Sequence, residues 1–118
     1  MDKYATGIKG EISAKKFLVD MGYVIVDENV NFPNVGELDI VAKDGNVLVF
    51  VEVRTRADAR YGNPLETITK AKINRIVRAS RRYLSDKKII CGGYRYDVIG
   101  ILNDNVTHIK NAFFARLN

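Results

Sequence analysis

Hydrophobic and polar positions follow two different periods along the chain, and the changes from one period to the other mark out its elements. From about Tyr4 to Met21, the residues Ala5, Ile8, Ile12, Ala14, Leu18 and Met21 recur at helical spacing, and Gly22 ends the run. YVIVDENV then reads as a strand. The segment GELDIVAKDGNVLVFVEVRTR reads as a hairpin, two alternating or apolar runs around an Asp44-Gly45 turn signal, with Glu37 set opposite Glu52 and Asp39 opposite Phe50. A Gly/Pro loop, RYGNP, leads into a helix between Leu65 and Leu84, whose apolar positions are Leu65, Ile68, Ile73, Ile76, Val77 and Leu84. YRYDVIGIL and VTHIKNAF are two further strands around an Asn103-Asp104-Asn105 turn. Helix, three strands, helix, strand and a short terminal pairing predict a small α/β sandwich with a mixed sheet.

Length and composition limit this to one unit. A chain of 118 residues that is 47% hydrophobic supports one core, and residues 1–118 contain no repeat, low-complexity block or Gly/Ser-rich linker. The opening MDKYATGIKG lacks the apolar core of a secretory signal, and no run approaches the roughly 20 apolar residues of a membrane span. A soluble, cytoplasmic protein without a membrane partner is expected. The single cysteine, Cys91, has no partner for an internal disulfide and no zinc spacing motif, so it reads as structural.

Charge changes the picture. The net charge is +5, with a pI near 9.4, which favours a polyanionic partner. Lys70, Lys72, Arg75, Arg78, Arg81 and Arg82 lie in the second helical segment against one acid, Glu66. Arg75, Arg78 and Arg82 recur as i, i+3, i+7 and so line one face. That face is either a solvated surface or a contact for nucleic-acid phosphates, where aligned cations release counterions.

The hairpin carries charge where a buried strand should have none. Glu37, Asp39, Glu52 and Arg54 share one face, while Leu38, Ile40, Ala42, Val47, Val49, Val51 and Val53 share the other. Val41, Leu48 and Phe50 lie among the charges, so this face too is covered over part of its length. Neighbouring carboxylates there repel and lose solvation, which calls for compensation. Arg54 can offset one, and a divalent cation, Mg²⁺ or Mn²⁺ for oxygen ligands, can offset the rest. Glu11 falls inside the apolar arc of the first helix. It is either a third member of this cluster or the partner of Lys15, four residues on.

These residues resemble a known family. A Glu in the first helix, GELDIVA, and VEVR at the end of the next strand resemble the PD-(D/E)XK nuclease superfamily. More closely, the chain resembles an uncharacterised bacterial endonuclease-like family distantly similar to archaeal Holliday-junction resolvases. The likeness runs through GIKGEISA, MGYVIVDENV, GELDIVA, LVFVEVRTR, YGNPLETITKAK, YRYDVIGI and HIKNAF. It implies a single nuclease-like domain with a restriction-endonuclease-like three-layer sandwich and an α-β-β-β-α-β core. It further implies that Asp39 and Glu52 bind the divalent metal and that Glu11 contributes to its site. Arg54 stands where the active pattern has lysine. An arginine stays protonated, so it can hold a phosphate oxygen but cannot act as a base. Lys70 or Lys72 is a candidate replacement from the basic helix.

Three functions fit these residues. One is a Mg²⁺- or Mn²⁺-dependent endonuclease acting on DNA, branched or structured DNA included, in which Glu11, Asp39 and Glu52 hold the ion, Arg54 assists, and Lys70, Lys72, Arg75, Arg78 and Arg82 hold the backbone. A homodimer would suit a branched substrate. The second is a nucleic-acid-binding module with a degenerate site. The third is an assembly factor whose basic helix docks an acidic protein. His108, the only histidine, and Asp97 receive no role.

Overall fold

A computed structural model describes residues 3–56 and 64–114, with side chains from residue 9 onward. Residues 60–63 of the RYGNP loop, and the side chains of Ala5 and Ile8, lie outside the described residues. Helix α1 spans Lys3–Asp20 and ends where Gly22 adopts φ +93°, which lets the Tyr23 N–H return to the Leu18 carbonyl at 2.9 Å. Ala14 and Leu18 are its buried apolar side chains among the described residues. Ile12 and Met21, expected in the same stripe, are exposed instead. Ile12 lies about 200° around the wheel from Ala14, and Met21 follows the last helical residue.

Five strands follow the predicted order: β1 Val24–Phe32, β2 Gly36–Asp44, β3 Val47–Arg56, β4 Gly93–Leu102 and β5 Asn105–Phe113. They form one sheet in the order β1-β2-β3-β4-β5. The β3–β4 pair is parallel, from Val47 opposite Gly93 to Arg56 opposite Leu102, and the other pairs are antiparallel. A parallel pair needs a long crossover, and helix α2, Lys70–Lys87, provides it. The sheet is therefore mixed, with a helix on each face. Ala14 and Leu18 of α1 pack on Ile40, Ala42, Val49, Val51, Ile99 and Ile101. Ile76, Val77, Ala79 and Tyr83 of α2 pack on Val41, Leu48, Phe50 and Tyr96 from the other side. Among the described residues, no helix is long and apolar enough to cross a membrane.

The hairpin register differs from expectation. Asp44 pairs with Val47 and Val41 with Phe50, so the turn residues are Gly45 and Asn46 rather than Asp44 and Gly45. Gly45 has φ +60°, the conformation that places glycine first in a type II′ turn. Phe50 thus faces Val41, not Asp39. Continued past its last pair, the same register sets Asp39 opposite Glu52, in place of Glu37. The slip amounts to two residues, so every side chain of the paired region keeps its face.

Two other expectations change. Leu38 belongs to the α2-side core rather than to the layer of Ile40 and Ala42, because pairing with β3 stops at Ile40 and β2 can rotate before it. The basic helix starts at Lys70, not Leu65. Thr69, in extended conformation, caps it by accepting the Lys72 N–H at 3.1 Å, and Leu65 and Glu66 fall in a separate 3₁₀ turn, Pro64–Thr67.

Candidate active site

Regular β2–β3 pairing ends at Ile40 and Val51, and the charged residues collect where the two strands part. Asp39 sits in this split. Its Oδ2 accepts the Val53 N–H at 2.9 Å, so a side chain replaces the missing backbone acceptor. Glu52 is 5% exposed. Burial first, and then the adjacent Asp39 carboxylate, push its pKa up to about 8, against the lowering effect of Lys72 and Arg54. Desolvation and the neighbouring negative charge thus both favour its protonated form.

Helix α2 comes close to this split because β2 begins with Gly36. A Cβ there would stand 2.5 Å from the Arg75 carbonyl oxygen, so only glycine admits the helix backbone at this distance. The approach carries Lys72, in the first turn of α2, over β3. Lys72 Nζ stands 3.7 Å from Glu52 Oε1. Between the two lysines named from the sequence, the structure brings Lys72 to the carboxylates and leaves Lys70 exposed.

Arg54 points toward the strand-to-helix connection. Its Nε donates to Thr67 Oγ1 at 3.1 Å and its Nη2 to the Thr67 carbonyl at 3.0 Å. Thr67 Oγ1 in turn donates to the Pro64 carbonyl at 2.7 Å. Pro64 lies against Gly100 of β4, so closely that a Cβ on Gly100 would collide with its ring. The guanidinium fork therefore fastens the 3₁₀ turn to the sheet.

Glu11 reaches the cluster from α1. Partial burial and then the Asp39 charge raise its pKa, while a hydrogen bond with the Asn29 side chain lowers it. Lys15 does not settle on Glu11: its Nζ binds Glu28 Oε2 at 2.7 Å. Asp39 thus interacts with Glu52 on one side and Glu11 on the other. Among the described residues, no three His, Cys, Asp or Glu side chains converge as a metal-holding group, so the close unit is the Asp39–Glu52 pair. A recess of about 180 Å³ lined by Asn29, Val30, Asn31, Glu37, Leu38 and Asp39 opens beside it. That is smaller than a typical small-molecule pocket.

The basic face is largely as the periodicity placed it. Arg75, Arg78 and Arg82 are exposed. Arg82 is engaged, paired with Asp86 at 3.0 Å and stacked 5.7 Å from the Phe32 ring centroid.

Two residues, Asn29 and Thr67, were not singled out by the sequence, and a third, Asp97, was named there without a role. Asn29 has φ +51° within β1, a conformation asparagine tolerates, and nothing in NVNF announces its contact with Glu11. Thr67 gave no signal as the partner of Arg54. Asp97 did carry one, an acid inside the apolar run YDVIGI. It is fully buried on the α1 side, where it accepts from Arg95 Nε at 3.0 Å and from the Asn111 N–H at 3.0 Å, and meets His108 Nε2 at 2.8 Å. His108 packs edge-on against Phe17 and Tyr23. Cys91 is partly buried against the α2-side core.

Together these features define an α/β protein with a mixed five-stranded sheet, a helix on each face, and an acidic strand end beneath a basic crossover helix. The chain belongs to the uncharacterised protein family UPF0102, whose model matches residues 10–101, a span that includes Glu11, Asp39, Glu52, Arg54 and all of α2. It is 38% identical over 113 residues to the UPF0102 protein of Persephonella marina, covering 96% of this chain and 97% of the relative. The UPF0102 protein of Desulfosudis oleivorans is 43% identical over 113 residues, covering 94% and 91%. That of Symbiobacterium thermophilum is 44% identical over 95 residues, covering 80% of each chain.

Proposed function

We propose that the chain is a metal-dependent phosphodiesterase that hydrolyses DNA, branched or structured DNA included, at the β2–β3 split. The observation that carries this reading is Glu52, an almost wholly buried carboxylate beside a second one, Asp39, with a single ammonium at 3.7 Å as its nearest counter-charge. Two acids in a desolvated strand end are unfavourable unless a further cation joins them. Carboxylate oxygens suit Mg²⁺ or Mn²⁺. Mg²⁺ in particular is commonly held by one or two carboxylates, with water and substrate phosphate completing its shell, and a two-carboxylate centre fits that habit. A bound ion would supply charge stabilisation at the phosphoryl group and make water more acidic.

The chain's own residues divide the remaining work. Asp39 and Glu52 hold the ion, and the Val53 N–H fixes the orientation of Asp39. Glu11 adds negative charge from the α1 side. Lys70, Arg75 and Arg78 hold the nucleic-acid backbone through phosphate contacts, and a homodimer would offer two such sites to a branched substrate. Arg54 acts at one remove, as a positioning residue for the connection that leads into α2.

A second reading, a nucleic-acid-binding module with weak chemistry, is favoured by one observation: the Arg54 fork is directed to Thr67 rather than open to a phosphate. Cleavage of single-stranded, duplex, flap and four-way-junction DNA in Mg²⁺ and in Mn²⁺ separates the two. Metal-dependent cutting that disappears in a D39N/E52Q double variant supports the phosphodiesterase. Salt-sensitive binding with wild type and variant equally inert supports the module.

A further inference from the structure

Lys72 is held differently from Arg95 and Arg54. Arg95 is a useful comparison, because it also serves a buried carboxylate. Its Nε meets Asp97 at 3.0 Å and its Nη2 meets Asp44 at 3.1 Å, in a network closed by His108 and the Asn111 N–H. Those are charge-assisted hydrogen bonds of ordinary length. Arg54 is likewise fixed, by a two-point bond to Thr67. Lys72 is held to Glu52 only by charge, at 3.7 Å, beyond hydrogen-bond reach, and its side chain is still 28% accessible. It is an unbranched chain with three rotatable donors, anchored in the first turn of α2.

The balance of charge at this position is also incomplete. With both acids ionised, as metal binding requires, Asp39 and Glu52 carry two negative charges against the one positive charge of Lys72. A divalent cation placed between the acids would satisfy both, and it would repel an ammonium at that range. Lys72 faces a Glu52 oxygen that would be a ligand of the ion.

We infer that Lys72 is a tethered stand-in for the metal, exchanging Glu52 for the phosphate of the nucleic acid when a divalent cation binds. The inference rests on the phosphodiesterase reading of the site. Without nucleic acid, Lys72 competes with the ion for Glu52 and keeps its affinity low. With nucleic acid present, the displaced ammonium finds a phosphate oxygen beside the ion, so ion and substrate assist each other's binding. Arg54 cannot take this part, because releasing it would unfasten the Pro64–Thr67 turn.

The test is calorimetric titration of Mn²⁺ into the wild-type protein and the K72M, K72Q and D39N variants without nucleic acid, together with cleavage at saturating Mn²⁺. Circular dichroism melts establish that each variant is folded, and K72Q serves if K72M is not. D39N is expected to abolish binding. The Lys72 variant is expected to bind Mn²⁺ roughly tenfold more tightly, as follows from removing one like charge a few ångströms away, and yet to cleave at least about tenfold more slowly, for want of the cationic contact in the transition state. If the Lys72 variant binds no more tightly, or cleaves as fast as wild type, while D39N still abolishes binding, the exchange is wrong and the metal site stands. If D39N binds Mn²⁺ like wild type, the site reading and the inference fall together.

Discussion

Arg54 and Thr67 are joined at two points, the guanidinium Nε to the hydroxyl and Nη2 to the carbonyl, and through them the end of β3 holds the turn that leads to α2. Replacing Arg54 with lysine keeps a cation at the position but removes the fork. R54K is expected to lower stability by about 2 kcal/mol, the order of one hydrogen bond to a charged group, and to give no gain in cleavage. Urea denaturation and initial cleavage rates measure both. A gain in rate would mean that position 54 acts on the phosphate directly.

Glu52 sets a pH dependence of stability. Its folded pKa, pushed up to about 8, lies above the unfolded value near 4.5, so within this window the folded chain retains a proton that the unfolded chain has lost. Stability therefore falls as pH rises from about 4.5 to 8, by an amount on the order of a few kcal/mol. E52Q should flatten the profile in that range. At pH 8, added Mn²⁺ should raise the melting temperature of the wild type and leave that of E52Q where it was.

Asp97 acts in the opposite direction. Burial by itself would raise its pKa, but the bonds from His108, Arg95 and the Asn111 N–H outweigh burial and hold it below the usual carboxylate value. The stabilisation is complete above about pH 4 and is lost as pH falls through the depressed folded value. D97N should cost about 3 kcal/mol at pH 7, the scale for breaking a buried pair. It should leave cleavage unchanged, because the partners of Asp97, which are Arg95, His108 and Asn111, have no part in the site.

The exposed arginines of α2 predict a salt dependence. An R75A/R78A variant should weaken duplex binding uniformly and reduce the slope of log K against log salt by about 2, near one unit per phosphate contact. R82A should have a smaller effect, since Arg82 already pairs with Asp86 and stacks on Phe32.

Element order and the pair of strand acids were legible in the sequence because they rest on local periodicity. The turn was not resolved by one residue, since Asp44-Gly45 and Gly45-Asn46 are both hairpin signals and only the pairing of Val41 with Phe50 distinguishes them. The faces survived because the resulting slip is even. For the second helix, apolar spacing continued backwards through Ile68 and Leu65, while the Thr69 cap decided the start. The choice between Lys70 and Lys72 was in fact readable. Lys72 lies four residues before buried Ile76, on the inward face, and Lys70 does not. Contacts such as Arg54–Thr67 and Glu11–Asn29 join segments far apart in sequence and carry no periodic signal.

The hairpin and the crossover also differ in when they can form. β2 and β3 are joined by a two-residue turn, so Asp39 and Glu52 meet through a local closure, whereas the parallel β3–β4 ladder waits for the whole α2 crossover. Pairings across long segments form late, because their loop-closure entropy must be met first. Lys72 travels with the late segment. Hairpin closure is therefore expected to bring the two acids together before their ammonium arrives, a repulsive step that salt and divalent ions ease by screening it.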